Sequence, residues 1–475
     1  MQCVACTQVG ERINLQHLFR ERKLSSGKQD RATHVHCFTP GDVEQSDWLS
    51  KSQKSWLDDA GFRGCPGQLM PLPDSNGQFV GQAFGLGERA NRSPLVTGLA
   101  AMQLPSGRYA LSGSFEDPTL AALGFKLGAY RFSRYKNDVG SVELDPLENV
   151  EQAEVKYLTE AAFLARDLIN TAPNDLGPDA FEAEVRAFAK KRKMRVKSIV
   201  GDDLLQQNYP MIHAVGRASA EAPRLLDLSW GPAKAPLVTL VGKGVTFDTG
   251  GLDIKPAAGM LIMKKDMGGA ANVLGLAHAI ISAKLKIRLR VLLPIVENAI
   301  SANAFRPGDV LPSRSGLNVE IGNTDAEGRL ILADALTLAD EESPEIIVDM
   351  ATLTGAARVA LGPELPPLYT SNNGLAADLM QAGAKWDDPL WHMPLWASYD
   401  RWLASKIADV SHISTGAFSG SITAALFLQR FVKQAKDWVH LDIYGWAPEA
   451  RPGRSHGGTD QGIRAVYQVL KQKYG

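Results

Sequence analysis

Hydrophobic and polar positions change rhythm about a third of the way along the chain. Up to residue 145, short apolar runs such as Tyr109–Leu111 are interrupted by Gly- and Pro-rich turns at Gly64–Pro73 and Ser106-Gly107, a pattern that predicts a small α/β domain. The stretch Leu147–Ala165 is charged, helix-forming and apolar near helical spacing, which predicts a linker helix. Beyond it, amphipathic segments alternate with β-branched runs. Helices are predicted over Ala180–Arg192 (opened by Pro178-Asp179), Gly268–Ala283, Ala326–Glu341, Ile422–Lys433 and Gly462–Lys473. Strands are predicted at Val196–Val200, Leu237–Val241, Leu289–Val296, Ile346–Met350 and Trp438–Ile443. The expected class is therefore α/β: a small N-terminal α/β domain (1–145), a linker helix (146–166) and a larger C-terminal domain (167–475). The larger domain should hold a mixed central sheet covered by helices on both faces. In such folds, sites form at the carboxyl ends of strands.

Composition narrows the function classes. The chain has 475 residues, 45% hydrophobic and 22% charged, with 44 Gly and 26 Pro, which excludes disordered, collagen-like and coiled-coil proteins. The most apolar stretch, Gly275–Ile295, is broken by Lys284, Lys286, Arg288 and Arg290, so no bilayer-spanning helix is expected. The first residues lack the layout of a secretory signal, and the cytoplasm is the expected compartment. Net charge is −1, from 51 basic and 52 acidic residues spread along the chain, so electrostatic attraction to nucleic acid is not indicated. Cys3, Cys6, Cys37 and Cys65 are too few and too local to staple the fold and read as reduced thiols. Cys3 and Cys6 form an isolated C-x-x-C without the second pair that a zinc site needs.

There is no H-E-x-x-H, no G-x-S-x-G, no phosphate-binding loop at Gly242-Lys243-Gly244, and no G-x-G-x-x-G after a strand. What remains is a set of acids and lysines at predicted strand ends and helix starts. Asp248 lies in Val241–Lys255, Asp266 in Met263–Ala271, and Asp325 with Glu327 in Asn323–Leu330. Brought together and buried, four carboxylates repel one another and lose hydration, so they need cations to stay ionised. Two divalent ions supply that charge, and hard oxygen ligands suit magnesium, manganese or zinc. A lysine beside a dication is driven to its neutral form, which makes Lys243 a candidate nitrogen ligand. A protonated Lys255 is suited to polarising a substrate carbonyl. Singly, each residue has a plainer role: Asp325, Glu327 and Asp266 as helix caps, Asp248 in an Asx turn, the lysines solvated, and Arg329 as a helix-surface partner. One shared site accounts for all of them at once.

These segments resemble the leucyl (cytosol) aminopeptidase family of two-metal metallopeptidases. The resemblance rests on Gly242–Gly251 with Lys255, on Met263–Ala271, and above all on the octapeptide Asn-Thr-Asp-Ala-Glu-Gly-Arg-Leu at 323–330. Ala165–Asn170 with Pro173–Asp175, Ala351–Ala356 and Trp438–Ile443 agree as well, so the likeness runs from about residue 150 to the end. It implies an enzyme that hydrolyses the N-terminal peptide bond of peptides through a bridging hydroxide on two divalent ions. By position, Asp248 and Glu327 are implied as bridging ligands, Asp325 as a ligand of the first ion, and Lys243 with Asp266 as ligands of the second. Asp266 also receives the substrate's amino terminus. Lys255 is implied beside the scissile carbonyl, and Arg329 as the seat of a bicarbonate that carries a proton to the leaving amine. Met263, Thr352, Leu353 and Gly355 fall at the pocket for the first side chain, implying an apolar preference such as leucine. A homohexamer with sites facing an interior cavity is the implied assembly.

Two departures stand out. The first hundred residues match the family loosely, and Tyr444-Gly445-Trp446 with Gly457–Gly462 differ from its usual residues beside the substrate pocket. The rival readings are a DNA-binding architectural or regulatory role, alone or as a second function, which the balanced charge disfavours, and a two-metal hydrolase of other amides or phosphate esters.

Overall fold

The computed structural model describes residues 31–137 and 139–475, so the Cys3–Cys6 pair lies outside the described residues. Two compact units are present. Described residues up to Val155, with Arg451–Arg454, form the first; Lys156–Ala450 with Ser455–Gly475 form the second. A helix over Gln152–Asn170 runs across that division.

The first unit is built on strands β1 (Thr33–Phe38), β2 (Leu69–Pro73), β3 (Phe79–Gly85), β4 (Gly107–Ser112) and β5 (Val142–Leu144). They are ordered β2-β3-β1-β4-β5, with only β2 antiparallel to its neighbour. Val35, Phe84 and Tyr109 on the strands and Phe125 on the helix Pro118–Gly128 close its core. Cys37 is a buried free thiol, whereas Cys65 is disulfide-bonded, which corrects the expectation of four reduced thiols.

The second unit holds β6 (Arg195–Val200), β7 (Arg224–Trp230), β8 (Leu237–Gly242), β9 (Gly244–Asp248) and β10 (Arg288–Asn298). It continues with β11 (Val310–Pro312), β12 (Asn318–Glu320), β13 (Ile346–Ala351), β14 (Pro367–Tyr369), β15 (Trp391–His392), β16 (Val410–Ser411) and β17 (Asp437–Asp442). The main sheet runs β15-β14-β17-β13-β8-β10-β7-β6, with β9 also on β10, while β11, β12 and β16 form a small separate sheet. Its centre, β17-β13-β8-β10, is parallel; β6, β7 and β14 pair antiparallel, so the sheet is mixed. Every residue of β8 and β13 is buried, as expected of parallel strands covered on both faces.

Strand alternation shows which helix covers which face. Val241 belongs to the core that contains Leu330, Leu332 and Leu336 of the helix Gly328–Asp340. Its neighbour Gly242 faces the other way: a Cβ there would stand 2.5 Å from Ala270 Cα, on the helix Gly268–Ser282. The two most deeply buried predicted helices therefore lie on opposite faces of β8, and both begin at the carboxyl end of the central strands.

Most element ends differ from the pattern by a residue or two, the expected scatter at frayed termini, but the linker helix expected over 146–166 instead spans Gln152–Asn170. Larger differences have local causes. The segment 324–326 is a 3-10 turn before the helix Gly328–Asp340. The helix near residue 420 ends at Gln429, short of the predicted Lys433, because Lys433, Gln434 and Ala435 donate their amides to the Asp340 carboxylate. Strand β7, Arg-Leu-Leu-Asp-Leu-Ser-Trp, was not foreseen, since its mix of charged and apolar residues has no clean period of two.

The helix Gly268–Ser282 approaches the sheet backbone to backbone at Gly269. A Cβ on Gly269 would lie 2.0 Å from Met350 O and 2.9 Å from Lys243 N. Gly269→Ala is expected to destabilise the second unit by about 2 kcal/mol or more, because only backbone can yield there. A lowered urea midpoint for the variant checks this; a wild-type midpoint contradicts it.

Candidate active site

The central strands deliver their loops to one rim of the sheet. Lys243 follows the last residue of β8, and Asp248 ends β9. The chain turns back through Gly250 (φ 88°) and Gly251 (φ 64°), left-handed conformations that favour glycine, and reaches Lys255. A 3-10 turn, Met263–Met267, carries Asp266 into the first turn before the helix Gly268–Ser282. Asp325 sits in the 3-10 turn Thr324–Ala326, and Glu327 is the N-cap position of the helix Gly328–Asp340. Thr352 follows β13.

These residues converge. The Lys243 ammonium lies 2.8 Å from Asp266 Oδ2 and 2.9 Å from Glu327 Oε1 and donates to Thr352 O at 3.1 Å. Lys255 Nζ lies 2.7 Å from Asp248 Oδ2 and also pairs with Asp325. One carboxylate oxygen each from Asp248, Asp325 and Glu327 lie within 4.8 Å of one another. Lys243, Asp248, Asp266 and Glu327 are all at most 3% exposed. Asp248 Oδ1 accepts from the Gly250 amide and from Asn298 Nδ2, both at 2.8 Å, and Thr352 Oγ1 donates to Asp266 Oδ1 at 2.7 Å.

The electrostatics are those of a crowded anionic site. Burial, with Asp266 adding repulsion, pushes Asp248 up to about 6 against the pull of Lys255 and Lys243. Burial and the Asp248 charge push Glu327 up to about 7, and burial with Glu327 raises Asp325. Asp266, though burial opposes its charge, is held below the usual carboxylate range by Lys243. Burial opposes the charge of both lysines, yet both are raised, Lys243 chiefly by Asp266 and Glu327 and Lys255 chiefly by Asp248. Two lysines do not satisfy four acids: Glu327 Oε2 is buried with no hydrogen-bond partner among the described residues. An orphaned carboxylate oxygen in a shell of oxygen donors is what a divalent cation would fill, so these residues fit a bound metal.

The remaining predicted residues lie around this shell. Arg329, one position into the helix from Gly328, is buried; its Nη1 donates to His412 O at 2.7 Å and its Nε is unpartnered. Burial lowers its pKa to about 10. Met263 opens the Asp266 turn and is half-buried. The Leu353 amide donates to Asp442 Oδ1 at 3.1 Å, and its side chain packs against the core that holds Leu330 and Leu336. Gly355 is exposed with open space beside it, and no bond ties it to the cluster.

The catalytic domain of the cytosol aminopeptidase family matches residues 163–467, and the N-terminal domain of M17 aminopeptidases matches 41–143. The chain belongs to the cytosol aminopeptidase family. It is a metallo-aminopeptidase, a hydrolase acting on peptides. A probable cytosol aminopeptidase of Roseiflexus castenholzii is 39% identical over 462 residues, covering 90% of this chain and 92% of that protein. One from Xanthobacter autotrophicus is 39% identical over 404 residues, covering 79% and 80%. Among solved structures, the cytosol aminopeptidase from Coxiella burnetii superposes with a TM-score of 0.89 at 42% identity, covering 94% of this chain and 99% of that one. The bottromycin maturation enzyme BotP in complex with Mn has a TM-score of 0.84 at 33% identity, covering 93% and 100%. The family likeness thus extends into the first unit, which the sequence reading matched only loosely. No helix among the described residues is long and apolar enough to cross a membrane.

Three supporting residues carried no role in the sequence reading. Asn298, the last residue of β10, joins Asp248 Oδ1 to Thr324 O; a buried amide ending an apolar strand was its only signal. Asp442, ending β17, accepts from the amides of Leu353 and Thr354 and from Thr354 Oγ1. His412 lies far from every motif. Its Nδ1 accepts from the Gly322 amide at 3.2 Å and its Nε2 faces Asn323 O at 2.9 Å, an arrangement that suits the neutral ring protonated on Nε2. It thereby braces the turn that presents Asp325.

Burial, with Arg329 beside it, depresses the His412 pKa to about 3. A histidine kept neutral in the fold contributes stability above its unfolded pKa of about 6.5 and loses it as pH falls toward 3. Chemical denaturation of wild type and His412→Gln across pH 4–8 checks this. The wild-type advantage should narrow as pH drops below about 6.5; an advantage independent of pH contradicts a neutral buried ring.

Proposed function

We propose that the enzyme removes the N-terminal residue of peptides at a two-metal centre. The observation that carries this reading is the convergence of Asp248, Asp266, Asp325 and Glu327 with Lys243 and Lys255 at the carboxyl rim of the sheet. Asp248 and Glu327 would hold both ions, Asp325 the first, and Asp266 with Lys243 the second. When bound, the ions would supply Lewis acidity and make water at the site easier to deprotonate. Manganese or zinc, with magnesium as a further hard cation, suits this donor set; the Mn complex of BotP supports manganese.

The chain's own residues bind and orient the peptide. Asp266 receives the free amino terminus, and its oxygens are already oriented by Lys243 and Thr352. Lys255, poised between Asp248 and Asp325, keeps its proton and donates to the oxygen of the scissile carbonyl as negative charge develops there. One preorganised donor of this kind contributes about 2.7–4 kcal/mol. Arg329, with an unpartnered Nε, is the seat assigned to bicarbonate, which would pass a proton to the leaving amine. Met263 beside Thr352 gives the first side chain apolar surface, which supports leucine-like residues; Leu353 packs against the core instead, and Gly355 leaves the mouth open. A homohexamer in the cytoplasm is the assembly and place this reading implies. The exposed side chains Leu252, Ile254 and Leu261, the last 81% exposed, give such an assembly apolar surface to cover.

Lys255→Ala is expected to lower kcat on leucine p-nitroanilide by about a hundredfold or more while manganese content stays at the wild-type level. Steady-state kinetics with added manganese, paired with metal analysis of the same samples, reads both quantities. Unchanged turnover removes Lys255 from the reaction. Faster hydrolysis of a phosphate ester than of the anilide overturns the peptidase assignment.

A further inference from the structure

Lys265 is a buried cation with no anion of its own. It is 5% exposed, and its ammonium lies 4.6 Å from the centroid of the Tyr444 ring, with no hydrogen bond or ion pair among the described residues. Beside the acid Asp266, three cations, Lys243, Arg358 and Lys255, act on it. Asp266 is already engaged, one oxygen by Lys243 and the other by Thr352. A second cation shares the same ring: the Arg358 guanidinium carbon stands 5.6 Å from the Tyr444 centroid. Arg358 is held through Nη2 by Asp442, but its Nε and Nη1 are buried without hydrogen-bond partners among the described residues. Tyr444 is itself fixed, because Gln461 Oε1 accepts from the amides of Tyr444 and Gly445.

An ammonium and a guanidinium, both largely desolvated and both with unused donors, form a receptor for a carboxylate. Cation–π attraction to a tyrosine compensates only part of that lost hydration. The receptor adjoins the candidate site. Lys265 precedes Asp266 in the chain, Lys265 O is 3.7 Å from the place a Gly445 Cβ would occupy, and Thr352 Cγ2 is 3.3 Å from it. If the substrate's amine sits at Asp266, the side chain on the adjacent carbon is the group directed toward this corner.

We infer that Lys265 and Arg358, held around Tyr444, bind the side-chain carboxylate of an acidic first residue, so that glutamyl and aspartyl peptides are substrates alongside apolar ones. The inference rests on the aminopeptidase reading above. Glutamate suits the corner in two parts, its methylenes resembling leucine in bulk and its carboxylate meeting the two cations. Lys265 acts here as a specificity-determining residue.

The test uses the manganese-loaded full chain and three p-nitroanilides, of glutamate, glutamine and leucine; none has a free C-terminal carboxylate, so only a side chain can supply the anion. The glutamate-to-glutamine ratio of kcat/KM is expected to be at least about tenfold in wild type, to fall about tenfold in Lys265→Met, and to persist in Lys265→Arg. Calorimetric titration of the loaded wild type with free L-glutamate and L-glutamine gives a readout independent of turnover, with tighter glutamate binding expected. A wild-type ratio near one overturns the inference, and so does a ratio unchanged in Lys265→Met. Should Lys265→Met fail to fold, the wild-type ratio and the titration decide. Hydrolysis of the leucine substrate separates the two levels: cleavage without glutamate preference removes only the carboxylate receptor, whereas no cleavage of any of the three removes the aminopeptidase reading and the receptor with it.

Discussion

Mutual repulsion among buried carboxylates is the constraint on which the rest of this structure depends. Asp248, Asp266, Asp325 and Glu327 come from three separate stretches of backbone, and the sheet holds Asp248, Asp266 and Glu327 buried with Asp325 half-buried beside them. Lys243 and Lys255 reach in between them, yet burial still leaves Asp248 raised to about 6 and Glu327 to about 7, with a Glu327 oxygen unpartnered. Such an arrangement is relieved either by protonation or by cationic charge from outside the chain. The family to which the chain belongs is metal-dependent, and the physical and comparative findings agree on that point.

The fold bears the cost of assembling the site through close backbone contacts. Gly242 and Gly269 let the helix Gly268–Ser282 lie directly on β8 and β13, and the Lys243 amide donates to Met350 O while Ala270 N donates to Lys243 O. Lys243 is thereby pinned by its own peptide groups, and its side chain can point only into the rim. On the other face, Glu327 begins a helix whose apolar side, Leu330 to Leu336, packs into the core with Val241 and Ile347. The acids are thus fixed by elements whose stability comes from apolar burial elsewhere. Asn298, Thr324 and His412 then hold the loops that elements alone would leave free.

Legibility in the sequence followed the range of the interactions. The central strands and the two site helices were readable because β8, β13, Gly268–Ser282 and Gly328–Asp340 are nearly all apolar and bounded by glycine or charge. The octapeptide at 323–330 was readable because Asp325, Glu327 and Arg329 are local to one turn. Strand β7 was not, since its antiparallel partners β6 and β10 decide its place and its own residues do not. His412 was equally hidden: nothing near it in the chain signals that it will brace a turn some ninety residues away. Lys265 shows a third case. It lies inside a segment that was read closely, yet its meaning depends on Tyr444 and Arg358, which only the fold brings beside it.

Manganese bound per chain, counted by elemental analysis after dialysis of wild type and Glu327→Gln, tests directly whether the acid cluster exists to hold two cations. Two ions per chain are expected in wild type, with clear loss in the variant, since Glu327 stands between both assigned positions. A wild type that retains no metal, or a variant that retains the full complement, contradicts the metal-pair account.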